Sequence, residues 1–327
     1  MRRPKLPRSP KVLAGLVLLG FFLIMTVIGP WLAPYDPNLN TFTPNLGPSW
    51  QHLLGTTTLG QDVMSQLLVG CRVTMVVGFI AGFVATILSI IVGLTAGYAG
   101  GRTDEGLSMM STMFLVIPGL PLLIVISSYL PAGEQANPLV IGFVIALTGW
   151  AWGARVLRAQ TLSLRNRDFV EAARIIGESR WRIMFGEIGP NLLPILAASL
   201  LFTILYSVGV YTTLAFLGLT DVSTWNWGTM MYWAQTNNAA LANEWWWLAP
   251  PGIAIALVGT SLALINFGID EYINPRLRTG TTTARERRKM GMDRRPRLGF
   301  TPVHRHLGPQ PTPDLTTAGT DVPGVPS

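Results

Sequence analysis

One cysteine, Cys71, stands in 327 residues, so neither a disulfide framework nor a cysteine metal cluster can form within one copy of the chain. Charge is scarce too: Asp, Glu, Lys and Arg make up 13% of the residues, against about 25% in ordinary globular chains. Lysine occurs only as Lys5, Lys11 and Lys289, and none stands in the G-x-x-x-x-G-K-[ST] setting that cradles phosphate. The chain is therefore expected to have no ATP site of its own. The net charge of +7 does not lie on a soluble domain. Its basic residues flank apolar runs, so a membrane surface, rather than nucleic acid, is the expected neighbour.

What is abundant is apolar: 49% of the chain, gathered into blocks. Val12–Leu32 follows a basic stretch, residues 1–11, and is long enough to cross a bilayer, which takes roughly 20 residues; it reads as a retained first span. Further runs at Val73–Tyr98, Met109–Leu130, Pro138–Trp152, Leu192–Leu219 and Leu248–Phe267 bring the expected spans to six. The fourth is short and gains length by continuing into Ala154–Leu157. Between the first two, Val63, Leu67 and Cys71 recur at helical spacing with Met64 and Leu68 beside them. That pattern predicts a separate amphipathic helix along the outer membrane surface.

Every Lys and Arg except Arg72 falls at the N-terminus, in the turn at Arg102, in the central loop or after the last span. The positive-inside rule then puts both termini and the central loop in the cytoplasm. The outer loops hold Asp36, Asp62, Glu134, Asp221 and Glu244, either as a cation-welcoming entrance or as what remains when basic residues are kept inside. Trp245, Trp246 and Trp247 are expected to anchor at the interface, with ligand stacking as the alternative. The tail at 279–327 cannot bury a core and is expected to be disordered, its basic residues touching anionic lipid.

None of the six runs contains Asp, Glu, Lys, Arg or His, which disfavours a proton relay or ion-coupled carrier. Uphill transport would then need energy from another subunit, and the central loop is where a motor could dock. In it, Phe169, Ala172, Ala173 and Ile176 form an apolar stripe on a short helix. Gly177 ends that helix, Ser179 caps a second starting at Arg180, and Pro190 to Pro194 lead back into the membrane. The alanines leave a thin surface, and Glu171 and Arg174 can set register with a partner's charges. A helix lying on the membrane surface fits these residues equally well.

This stretch resembles the EAA loop of binding-protein-dependent ABC importer permeases: Glu171, Ala172, Ala173 and Gly177 match, with Ile188 and Pro190 in place and Gly189 where Leu is usual. From about Leu13 to Arg278 the chain is similar to the second permease subunit of dipeptide/oligopeptide importers. APYDPN (33–38), LGQDV (59–63), GCRV (70–73), ARVLRA (154–159), FVEAAR (169–174), WWWL (245–248) and NPRLR (274–278) carry the likeness. Thr57 stands where Asp is usual, Gln61 and Gln66 where Arg is common, and Asn274 where Asp often stands.

The resemblance implies an all-α membrane protein of six transmembrane helices, its permease domain at 12–278 and a coupling loop at about 159–191 between spans four and five. It implies a multi-pass protein of the bacterial inner membrane that binds no cofactor. Its partners would be a homologous second permease, two ABC ATPase subunits that use ATP and Mg, and an extracytoplasmic substrate-binding protein. Peptides are the implied cargo, though such importers also include ones for oligosaccharides, metal chelates and glutathione. Thr203, Tyr206, Ser207, Tyr211, Thr212 and Thr213 of the fifth span either line the path or bond neighbouring helices. A self-contained channel or secondary carrier is the alternative from another class, and a scaffold without transport a third, which the polar fifth span disfavours.

Overall fold

In hydrocarbon each backbone N–H must find its carbonyl within the same segment, so long uncharged runs fold as helices. The computed structural model describes residues 10–273 except 132, 135 and 136. Its helices are α1 (Pro10–Leu32), α2 (Val63–Ala99), α3 (Gly101–Val116), α4 (Gly119–Ser128), α5 (Pro138–Leu164), α6 (Asp168–Ile175) and α7 (Arg180–Arg182). After a π-helical segment (Ile183–Ile188) come α8 (Gly189–Phe216), α9 (Trp227–Thr236) and α10 (Trp245–Ile273). No strand occurs among the described residues; a single antiparallel bridge joins Thr56 and Asp62. Among the described residues, five helical runs are long and apolar enough to cross a membrane, and a sixth is made if α3 and α4 count as one bent span. The expected basic segment up to residue 9, Asn274 and the tail at 279–327 lie outside the described residues.

Helix α2 is the axis of the fold. Its 37 residues extend about 55 Å at 1.5 Å per residue, well beyond a hydrocarbon core of about 30 Å. The separate amphipathic helix expected on the membrane surface does not exist: Val63, Leu67 and Cys71 form the first turns of α2, with Val63 and Cys71 buried. Small residues let its neighbours come close. A Cβ on Gly82 would stand 2.9 Å from Ile204 Cα in α8, and one on Gly93 2.7 Å from the Ala154 carbonyl oxygen in α5. Gly29 of α1 approaches the Leu68 carbonyl in the same way.

The third apolar run is broken. Ile117 is extended (φ −69°, ψ 125°), as a residue before proline tends to be, and Pro118 has no N–H to return to Phe114. The result is a bend of 85° between α3 and α4, where the uninterrupted hydropathy of Met109–Leu130 predicts one span. The fourth span does gain its length past Trp152, running on to Leu164.

At the end of the bundle opposite α6, the segments between α1 and α2 and between α8 and α10 form a packed lobe. Asp62 caps α2, accepting from Ser65 N at 2.8 Å and Ser65 Oγ at 2.7 Å, and lies 2.9 Å from His52 Nδ1. Trp225 Nε1 donates to Asn38 Oδ1 at 2.7 Å. Gln66 donates to Gln61 Oε1 and Gln61 to Asn40 Oδ1, so a chain of neutral amides occupies the positions where the resemblance leads one to expect arginine. Trp247 is buried and Trp246 donates to the Thr56 carbonyl. Of the three tryptophans expected at the interface, Trp245 alone is exposed.

Asp62 and Glu244 are buried, which removes both from any charged entrance. Glu244 Oε2 has no hydrogen-bond partner among the described residues, and burial pushes its carboxyl above the ordinary value of 4.5. The native state thus holds this proton at pH values where the unfolded chain has released it, and stability falls as pH rises from 4.5 through the raised value. Glu244→Gln removes that loss. What the variant removes is the cost of burying the charged form, so it should unfold about 2–4 °C higher at pH 7 for each kcal/mol of that cost and coincide with wild type at pH 4.

Candidate functional site

Helix α6 is a short element with defined ends. Gly177 has φ +85°, the left-handed conformation that glycine adopts without a Cβ clash. Glu178 N bonds the Ala173 carbonyl and Gly177 N that of Arg174, which together make a Schellman cap. Ser179 follows and accepts from Arg182 N at 3.3 Å, as a cap for α7. The expected helix, turn and second helix are therefore present. The second helix does not stop before the membrane, because α7, the π-helical segment and α8 form one continuous run from Arg180 to Phe216.

The faces of α6 divide differently from the expected stripe. Val170 and Ala173 are the buried pair, seated on Leu94 of α2, Leu157 of α5, Ile183, Met184 and Ile188. Phe169, Ala172 and Ile176 lie one step round the helix and are exposed, as are Glu171, Arg174 and Gly177. Ile175 and Ile176 are 82% and 79% exposed. The stripe thus splits, with Ala173 facing the bundle and the other three facing out. Val170 is missed by the sequence pattern because it is out of phase with that stripe.

Side chains around this seat fasten three helix ends. The Arg174 guanidinium lies 5.4 Å from the centre of the Tyr98 ring, a cation–π arrangement. Arg165 Nη1 donates to the Gly97 carbonyl at 3.2 Å. Arg158 grips Asp104 with two parallel hydrogen bonds, one of 2.7 Å, tying α5 to α3 in the bidentate geometry that makes Arg–carboxylate pairs strong. Beyond the seat, Trp181 and Phe185 stack at 5.7 Å with planes 5° apart and stay largely exposed. Their i, i+4 spacing in WRIMF was the available signal for this second apolar patch.

The hydroxyl-bearing residues of the fifth span fall into two groups. Ser207, Tyr211 and Thr212 are buried, and Thr212 bonds back to the Val208 carbonyl at 2.8 Å. Thr213 bonds the Gly209 carbonyl. Tyr206, 37% exposed, instead lines a cleft of about 380 Å³ with Thr203, at the break between α3 and α4. No cluster of His, Cys, Asp or Glu able to hold a metal occurs among the described residues.

Residues 89–279 match the family model of the binding-protein-dependent transport system inner membrane component. Residues 5–48 match that of the N-terminal TM domain of oligopeptide transport permease C. The chain is 31% identical over 280 residues to the dipeptide transport system permease protein DppC of Bacillus subtilis, covering 84% of each. It is 31% identical over 270 residues to the probable D,D-dipeptide transport system permease protein DdpC of Escherichia coli, covering 82% of this chain and 88% of that one. Against the oligopeptide transport system permease protein OppC of Bacillus subtilis it is 28% identical over 274 residues, or 83% and 88% of the two chains.

Proposed function

Because the chain belongs to the family of binding-protein-dependent transport system inner membrane components, we propose that it serves as the permease subunit of an ATP-driven peptide importer. It is a multi-pass inner-membrane protein and a transport subunit rather than an enzyme. The observation that supports the coupling role is the two-faced α6: Val170 and Ala173 hold it to the bundle while Phe169, Glu171, Ala172 and Ile176 are presented outward.

In this reading α6 is the coupling helix and lies in the cytoplasm with both termini, on the side where Arg155, Arg158, Arg165, Arg167, Arg174, Arg180 and Arg182 gather. A homologous second permease completes the path, and two ATPase subunits dock on the α6 face. An extracytoplasmic binding protein delivers peptide at the opposite lobe. ATP and Mg act on the ATPase subunits, and this chain holds no cofactor. ATPase closure moves α6 and the helix ends seated under it as one body, opening the path alternately to either side.

The test is reconstitution. Tagged chain, expressed with its chromosomal neighbours and purified in mild detergent, should bring down a second permease and ATPase subunits. Proteoliposomes of that complex should import peptide only with ATP inside the reach of the ATPases and binding protein on the other face. Import by this chain alone, without nucleotide, would establish a self-contained channel or carrier in its place.

A further inference from the structure

The break between α3 and α4 interrupts the helical hydrogen-bond ladder of the third span. Ile117 N still bonds the Met113 carbonyl, but the Phe114 carbonyl loses its helical partner because Pro118 has no N–H, and the bend of 85° carries the next turn away from the carbonyls that follow. Non-helical backbone at membrane depth is tolerated only where protein buries it or where it lines a wet cavity. Thr148 places the break in depth: it is ten residues into α5 from Pro138, about 15 Å along the helix.

A cavity is present at this position. The cleft of about 380 Å³ is walled by Phe114 and Ile117 at the end of α3, Trp152 of α5 and Phe202 of α8, with Thr148, Thr203 and Tyr206 as its hydroxyl-bearing residues. Its size falls within the roughly 300–1,000 Å³ typical of small-molecule sites, which combine apolar walls with a few polar groups. Gly149 and Gly119 border it: a Cβ on Gly149 would stand 3.4 Å from the Tyr206 ring and one on Gly119 3.4 Å from Tyr206 Oη, ordinary contacts that would take up part of its space.

The polar groups are uncharged and include donors as well as acceptors: the Tyr206 hydroxyl can do both, and Trp152 Nε1–H donates. Thr148 Oγ1 already donates to the Ile145 carbonyl and Thr203 Oγ1 to the Ser199 carbonyl, so both threonine oxygens have only lone pairs to offer. The α3 carbonyls are acceptors as well, at the helix end that carries partial negative charge. None of the lining residues is Asp, Glu, Lys, Arg or His. An uncharged cleft that offers both acceptors and donors matches a ligand with N–H and C=O groups alike, as a peptide main chain has, and whose side chains it does not read by charge.

We propose that this cleft is a station for the substrate's main chain on the translocation path, where peptide N–H groups meet Thr148, Thr203, Tyr206 and the α3 carbonyls. This assignment rests on the importer reading. A station of this kind would admit peptides of differing side-chain charge alike. Recognition at the break uses the part that all of them have in common.

The experiment uses the assembled complex in proteoliposomes, with Cys71→Ala as background so that the introduced thiol is the only one in this chain, and labelling is read on this subunit after separation. Tyr206→Cys should react with a membrane-impermeant methanethiosulfonate at least tenfold faster than Phe21→Cys on the exposed face of α1. A casein peptide digest with the binding protein should slow that reaction severalfold. In parallel, Thr148→Val should lower import from the digest about fivefold, the worth of about one hydrogen bond, and Thr148→Ser should restore it. Reaction no faster than at position 21 would mean that lipid fills the cleft and would overturn the proposal. So would a rate indifferent to the digest while wild type imports from it, or unimpaired import by Thr148→Val. Absence of import by the wild-type complex would instead remove the importer reading on which the proposal stands. If Tyr206→Cys does not assemble, Thr148→Cys gives the same readout.

Discussion

Glu171→Arg is expected to reduce peptide import at least about thirtyfold and to strip the ATPase subunits from the purified complex, while the subunit itself inserts and folds normally. The asymmetry follows from where the side chain lies. Glu171 is exposed on α6 and carries none of the seat formed by Val170 and Ala173, and exposed substitutions away from special features usually stay within about 0.5 kcal/mol. In a docked interface, reversing a charge that pairs with the partner costs about 2–5 kcal/mol. Import from reconstituted vesicles and the ATPase content of the affinity-purified complex are the two measurements. Unchanged import would show that the outward face of α6 does not meet the motor.

Gly93→Leu is expected to do the converse, lowering the amount of folded subunit before any question of partners arises. A Cβ at this position would stand 2.7 Å from both the Ala154 carbonyl oxygen and Leu157 Cβ, and 3.2 Å from Ala154 Cα. Backbone is in the way, so a rotamer change cannot relieve the clash. Overpacking costs about 1–3 kcal/mol even where side chains can shift, and here α2 and α5 must separate. The damage spreads, because Leu157 and the neighbouring Leu94 form part of the seat of α6. Unfolding in mixed micelles should show a loss of about 3 kcal/mol or more, with Gly93→Ala in between. Wild-type stability in Gly93→Leu would mean that the two helices are not held together at this crossing.

Much of the α6 region was legible because caps are local chemistry. Gly177 and Ser179 announce a helix end and a helix start in the sequence, and the φ of +85° and the Ser179 hydrogen bond are found there. The phase of the helix was not legible. Phe169, Ala172, Ala173 and Ile176 line up on a wheel, but which side is seated depends on where Leu94, Leu157 and Ile188 arrive from distant segments. The break in the third span was written in the chain as Pro118-Gly119, and hydropathy passes over it because a proline does not make a run less apolar. Trp246 and Trp247 failed for a related reason: burial in a lobe and residence at a membrane interface select the same amphipathic ring. Only the partners Thr56 and the surrounding core distinguish them. The cleft lay beyond reach of the sequence, since its walls come from three stretches that meet only after folding.

The length of α2 has a mechanical meaning. One unbroken rod carries Asp62 and the lobe at its first residue and Tyr98, gripped from above by Arg174, next to its last. Over about 55 Å, a tilt of roughly 5° at the α6 end swings the other end by about 5 Å. Moving as a rigid rod, α2 would act as a lever that links the position of the α6 seat to that of the lobe.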